Sequence, residues 1–297
     1  MNSDTTQNSI YRILDAGINR ASEGLRVVED LARMVLGDAH LSRKLKELRH
    51  DLTSAVSMID PAALVAARDS ESDVGRHIQI DSEYDRGEIS SASSISLVQA
   101  NLARVQQSFR SIEEFSKTIN VELAKTIEQL RYRTYTLEKA ILTTVISLQN
   151  LNVANLYVLI PAVDGSPDLR LVQQLVDAQV GLIQLREKRL TDRQLVAAGK
   201  SIAATTRGSE TRFLMNDRVD LALATGADGV HLGHDDLAVA DARRMLGAAK
   251  LIGVSTHSIE QARKAVLDGA NYIGVGPVFS STTKSFDAHV GLELVRQ

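Results

Sequence analysis

The apolar positions of this chain follow two different periods. From Tyr11 to about Gln149 they recur at every third and fourth residue, as in Leu25, Val28, Leu31, Ala32 and Val35 and again in Leu102, Val105, Phe109, Ile112 and Phe115. That is the stripe of an amphipathic helix. Gly37-Asp38 ends the first predicted helix and Asp60-Pro61 the second. The polar stretch from Asp69 to Ser94 is expected to be irregular, with one short extended piece near His77 to Ile80. Val121 to Gln149 reads as one long helix that runs on without a flexible linker. After Leu156 the pattern changes to short β-rich runs, LYVLIP, GLIQLR, RFLMN, GVHLG, KLIGVS and NYIGVG, beginning near Leu156, Gly181, Arg212, Gly229, Lys250 and Asn271. Between them lie amphipathic segments such as DLRLVQQLVDAQ and SIEQARKAVLDGA. Strand and helix units repeated in this way predict a parallel sheet covered by helices, with a barrel as the favoured closure. The expectation is therefore an α/β architecture, with a mainly α-helical domain over 1–150 and a (β/α) barrel domain over 151–297.

Composition narrows the function classes. Apolar residues make up 44% and charged residues 24%, as in soluble globular proteins, and the net charge is −3. Neither half is basic, which argues against nucleic acid as the main partner. There is no cysteine, so thiolate nucleophiles, disulfides and Cys-based zinc sites are excluded. MNSDTTQNSI carries no basic segment followed by an apolar run, and no stretch approaches the length of a membrane span, so a cytoplasmic protein is expected.

The helical half contains a weak internal repeat. At an offset of 84 residues, Arg20, Leu25, Arg26, Val28, Glu29 and Asp30 fall on Arg104, Phe109, Arg110, Ile112, Glu113 and Glu114. Arg26 with Asp30, and Arg110 with Glu113 and Glu114, stand at the spacing of surface ion pairs, which is one reading. The other gathers Arg20, Arg26, Arg104 and Arg110 around a phosphate, whose oxygens match guanidinium forks.

In a (β/α) barrel the active site lies at the C-terminal ends of the strands. Here those ends carry Gln184 to Lys188, Asn216-Asp217, His231 to Asp236, Ser255 to His257, and Gly276-Pro277 followed by Ser281 to Lys284. Cations from two ends and acids from two others would suit Mg²⁺ bridging phosphate oxygens. Each piece also has a plainer reading. Arg186 and Lys188 could pair with Glu187 or Asp217, Asp217 and Asp236 could cap the helices that follow, and His231 and His234 could be packing or hydrogen-bonding residues.

QLREK, ND, HLGHDD, GVSTHS and GPVFSSTTK, in this order and at strand ends, resemble the motif set of the thiamine phosphate synthase family over about Leu156 to Gln297. The resemblance implies a TIM-type (β/α)8 barrel and a transferase of thiamine biosynthesis that couples hydroxymethylpyrimidine diphosphate to thiazole phosphate and releases pyrophosphate. By position it implies that Gln184, Leu185, Arg186, Glu187, Lys188, Asn216, Ser255 and Lys284 bind the pyrimidine diphosphate, that Asp217 and Asp236 hold Mg²⁺, and that Ser281, Thr282 and Thr283 contact the thiazole phosphate. No protein nucleophile is implied. His234 and Asp235 stand where the family commonly has Gln and Glu, and Ser281 where it has Thr. The sequence stops shortly after GLEL, within the expected sixth helix, so the barrel is expected to be C-terminally truncated and to lack its last two strands.

The segments RASEGLRVVEDLAR, LKELRHDL, ESDVG and NLARVQQSFRSIEEF resemble the helical domain fused ahead of some bacterial thiamine phosphate synthases, which is associated with hydroxymethylpyrimidine phosphate kinase activity. ATP would then be a further ligand, although the chain has no G-x-x-x-x-G-K-[ST] loop to hold it. Two other readings stand beside these: a thiazole tautomerase-like barrel, and a non-catalytic binding or assembly module. Homo-oligomerisation is left open.

Overall fold

The computed structural model describes residues 3–69, 91–151, 154–163, 165–279 and 289–297. The expected extended piece at 77–80, most of the expected irregular stretch, and Ser281, Thr282, Thr283 and Lys284 lie outside them. The chain forms two compact units, 1–145 and 146–297. Among the described residues no helix is long and apolar enough to cross a membrane.

The first unit is built from α1 (Ser3–Asp30), α2 (Ala39–Val56), α3 (Pro61–Ala66), α4 (Ser91–Ser116) and most of α5 (Val121–Leu151). The apolar stripes predicted the long helices, and Leu14, Leu25, Leu102, Val105, Phe109 and Ile112 are fully buried, whereas α3 was not foreseen and α4 begins at Ser91, within the stretch expected to be irregular. Past α1 the last turn widens so that the Leu36 N–H reaches the Leu31 carbonyl, 3.0 Å, and Gly37 takes a φ of +62° to leave it. Asp38 then caps α2, its carboxylate accepting from the N–H groups of His40 and Leu41 at 2.8 and 2.9 Å. The Asp60-Pro61 break is also a beginning, because Asp60 caps α3 and Pro61 occupies its first position. Two glycines bring α1 against α4. A Cβ at Gly17 would lie 2.9 Å from Ile112, and one at Gly24 would lie 2.7 Å from Val105 and 3.1 Å from the Asn101 carbonyl.

The second unit holds a six-stranded parallel sheet with strands neighbouring one another in chain order. These are β1 (Tyr157–Ile160), β4 (Leu182–Leu185), β5 (Arg212–Asn216), β6 (Gly229–Leu232), β7 (Leu251–Thr256) and β8 (Tyr272–Val275). All six correspond to the apolar runs of the sequence. A short antiparallel pair, β2 (Ala162–Val163) with β3 (Ser166–Pro167), follows β1 and was not foreseen from them. The helices α6 (Leu169–Asp177), α7 (Asp192–Thr206), α8 (Val219–Thr225), α9 (Val239–Leu246) and α10 (Ile259–Asp268) connect the strands, and α11 (Gly291–Arg296) follows β8.

Alternation sorts the strand residues to two faces. Ile160, Ile183, Leu185, Phe213, Met215, Val230, Leu232 and Ile252 pack with the helices in the larger core. On the other face Leu182, Leu214 and Leu251 cluster with Tyr157, Tyr272, Leu151 and Ala154. Tyr157 comes from the first strand and Tyr272 from the last, yet their rings stand 5.8 Å apart and their hydroxyls 3.0 Å apart. Such contact across the sheet requires it to curl. Parallel strands in chain order, curled, with helices outside, form the wall of a TIM-type barrel. Gly253 makes room for this interior: a Cβ there would lie 2.0 Å from the Tyr272 ring, its neighbour in register.

Candidate active site

The C-terminal ends of β4, β5, β6 and β7 bring most of the expected residues to one rim. Gln184 and Asn216 occupy inward positions on β4 and β5; Gln184 is 2% exposed and its Nε2 donates to the Tyr157 hydroxyl. Leu185 points the other way, its side chain buried in the sheet–helix core. Beyond it Arg186 is exposed, and its N–H donates to the Ile160 carbonyl at 2.9 Å. Glu187 folds onto its own loop, accepting from the N–H groups of Lys188 and Arg189 at 2.8 and 2.9 Å. Lys188 reaches Asp217, Nζ to Oδ2 3.4 Å, so the ion-pair reading holds for that pair.

Asp217 sits in a left-handed backbone conformation, φ +60°, fixed by its N–H donating to the His231 carbonyl at 2.8 Å. Non-glycine residues adopt this region at a cost, Asp and Asn least, and such strain clusters at functional sites. The capping reading fails for Asp217: the residue at the start of α8 is Arg218, and the acid in its first turn is Asp220. Asp236 does close a turn, accepting from the Gly233 N–H, but the residue at the cap of α9 is Ala238, which supplies no side-chain cap. Asp236 lies close enough to act on the Asp217 carboxyl. Burial and the neighbouring Asp236 push the Asp217 carboxyl above its usual range, against the pull of Lys188. Two hard oxygen donors crowded together are suited to Mg²⁺, which is commonly bound through one or two carboxylates, substrate phosphate and retained water. Among the described residues no group of three or more His, Asp or Glu side chains forms a metal cage.

Beneath the rim runs a hydrogen-bonded chain that inspection of strand ends alone missed. Gln184 Nε2 donates to Tyr157, whose hydroxyl lies 3.0 Å from that of Tyr272; Tyr272 lies 3.0 Å from His231 Nδ1, and His231 Nε2 lies 3.0 Å from Ser255 Oγ. Burial holds the His231 imidazole down to about 4, hence neutral near pH 7, with one nitrogen accepting and the other donating. With Gln184 donating, the polarity that uses every buried hydroxyl hydrogen runs from Gln184 to Ser255 and leaves the Ser255 hydrogen for a further acceptor. The sequence carried a signal for Tyr157 and Tyr272: both fall at inward positions of their runs, where a lone polar tip must find a partner. His231 is the hydrogen-bonding residue of its plainer reading. His234 stands with its ring 6.2 Å from that of His257, beside a cavity of about 220 Å³ lined by Asp236, Ser255 and Lys264.

The model of the family described as thiamine monophosphate synthase matches residues 156–297, and that of the ThiD2 family matches residues 12–140. A thiamine-phosphate synthase of Rhodopirellula baltica is 41% identical over 294 residues, spanning 97% of this chain and 77% of the relative. One from Synechocystis is 40% identical over 288 residues, spanning 97% and 80%. The chain belongs to the thiamine-phosphate synthase family. A solved structure, the thiamine phosphate pyrophosphorylase of Pyrococcus furiosus, is 32% identical and covers 48% of this chain and 69% of its own, with a TM-score of 0.41.

As a member of that family the chain is a transferase of thiamine biosynthesis, and the helical unit ahead of its barrel is similar to the ThiD2 family. In the helical unit the four arginines of the repeat separate. Arg20 and Arg104 line one cavity, while Arg110 pairs with Glu113 and Glu114 at 2.7 and 2.6 Å, as the ion-pair reading has it. Arg26 is exposed and is not among the residues lining that cavity.

Proposed function

We propose that the barrel unit couples hydroxymethylpyrimidine diphosphate to thiazole phosphate with release of pyrophosphate, and that the reaction depends on Mg²⁺. The observation that carries this is the Asp217 and Asp236 pair facing Lys188 at the mouth, a cation site with a cation beside it. Asp217 and Asp236 would hold Mg²⁺, which when bound neutralises the charge of the departing pyrophosphate. Lys188 adds a fixed positive charge on the same side, and Arg186 stands exposed at the same loop. Ser255, fed by the chain from Gln184, presents a hydrogen to the pyrimidine. Bond breaking at the pyrimidine methyl carbon leaves a cation that the thiazole nitrogen attacks, so catalysis rests on placed charge and positioning rather than on a protein nucleophile. Leu185 serves through its backbone, since its side chain is committed to the core. A thiazole tautomerase has no second diphosphate to hold, and the carboxylate pair with Lys188 favours the synthase over it.

The experiment is pyrophosphate release from the two substrates, titrated with Mg²⁺ and repeated with Asp217→Asn. Turnover that ignores Mg²⁺, or that survives the substitution, removes the assignment.

The same proposal gives residues 12–140 the ATP-dependent phosphorylation of hydroxymethylpyrimidine phosphate, which would supply the barrel's substrate within the cytoplasm. Its support is the ThiD2 match and an arginine-lined cavity in that unit. Transfer of labelled phosphate from ATP tests it, and absence of transfer by the folded full chain defeats it.

A further inference from the structure

We propose that the cavity between α1 and α4 is the phosphate-monoester site of the helical unit, with Arg20 and Arg104 as its anion-binding pair. The cavity measures about 600 Å³, within the range of small-molecule sites. Its cations are Arg12, Arg20 and Arg104, its neutral polar groups include Gln107, Ser108 and Ser111, and among the described residues no acidic side chain lines it. Arg12 is held at the rim by Asp69, 3.7 Å away, and Arg104 rests on Asn101 at 3.4 Å. The floor is apolar, with Ile13, Ala16 and Gly17, and suits a flat ring. A phosphorylated aromatic heterocycle of modest size matches both parts.

The repeat accounts for how the two arginines come together. Gly17 meets Ile112 while Gly24 meets Val105 and Asn101, so α1 and α4 run antiparallel, and the 84-residue offset turns one helix into the other. Arg20 and Arg104 are equivalent under that offset and share the cavity. At the other, repeat-related end of this helix pair, around the same Arg20 and Arg104, Ser96 stands in place of Arg12 and Glu23 in place of Gln107. The cavity lies at the end with the third arginine, and Glu23 is not among the residues lining it. A carboxylate beside a dianion would oppose binding.

The inference deepens the kinase reading, from which it takes the identity of the ring; the anion site stands on the cavity itself. The test is phenylglyoxal modification of the full chain, read per arginine by mass spectrometry, with and without hydroxymethylpyrimidine phosphate and with inorganic phosphate as a second probe. The expected result is protection of Arg20 and Arg104 by about tenfold at saturation, given charge-assisted contacts, with the exposed Arg26 unprotected. Arg20→Ala should abolish protection of Arg104, and both side chains are exposed enough to be removed without loss of fold. Equal modification with and without either probe overturns the site, as does protection of Arg104 that persists in Arg20→Ala. Protection without phosphate transfer from ATP would uphold the site and defeat the kinase reading. Transfer without protection would do the reverse.

Discussion

The two units treat charge in opposite ways. In the helical unit carboxylates are answered by cations: Glu113, 4% exposed, is held by Arg110 at 2.7 Å and Arg131 at 3.0 Å, Glu29 by Arg49 at 2.9 Å, and Asp15 by Arg68 at 2.8 Å. At the barrel mouth Asp217 and Asp236 crowd each other, and Lys188 beside them does not offset the repulsion and burial. Paired charge fixes helices to one another. Crowded like charge costs stability and is retained where a ligand relieves it. The Arg20 and Arg104 cavity is where the helical unit departs from its own habit.

The largest test of this contrast is Asp217→Asn. Turnover should fall by about 100-fold or more with the loss of charge stabilisation at the leaving group. The metal-free protein should melt no lower than the parent, because the substitution removes a repulsion and Asn tolerates the left-handed backbone. A clear loss of melting temperature would show that Asp217 is structural, like the acids of the helical unit.

Acidification gives the next effect. The unfolded chain binds a proton at His231 near pH 6.5, whereas the folded protein resists it until about 4, so stability falls as pH drops through that window. The loss should reach about 3 kcal/mol, read by denaturant titration at successive pH values, and His231→Gln should flatten it. Asp217 acts with the opposite sign above its ordinary range of 3.8, where a raised carboxyl pKa means stability is lost as pH rises through the folded value. Tyr272→Phe should cost about 1–3 kcal/mol, the price of leaving Tyr157 and His231 without their partner, and should raise KM for the pyrimidine substrate.

Two substitutions sharpen the contrast from the helical side. Gly24→Ala drives a methyl into Val105 and the Asn101 carbonyl and should cost about 1 kcal/mol or more in denaturant titration. Lys125→Ala removes an exposed pair with Glu122 and should leave the melting temperature unchanged. A drop there would mean that surface pairs carry more of this unit than its core does.

The sequence showed the architecture well because each unit has one strong period. The stripe through Leu102, Val105 and Phe109 and the runs at GLIQLR and GVHLG leave little choice of element type. The strand-end motifs located Lys188, Asp217, Asp236 and Ser255 on one rim for the same reason. Other features were not legible from local patterns. Leu185 lies inside QLREK, yet alternation sends its side chain outward. The pair β2 and β3 is too short to show a period. Tyr157 and Tyr272 meet across 115 positions of sequence, and only the curl of the sheet brings them together. The repeat showed that Arg20 and Arg104 are equivalent, while the packing of α1 on α4 separated them from Arg26 and Arg110.

The chain from Gln184 to Ser255 has one more consequence. In the polarity that uses every hydroxyl hydrogen its bond dipoles point the same way, and aligned hydrogen bonds polarise one another. Ser255 therefore stands at the positive end of a short wire of side chains, and its hydroxyl donates more strongly than a solitary serine would. Tyr272, on β8 and outside the QLREK loop, becomes the point where that wire can be cut.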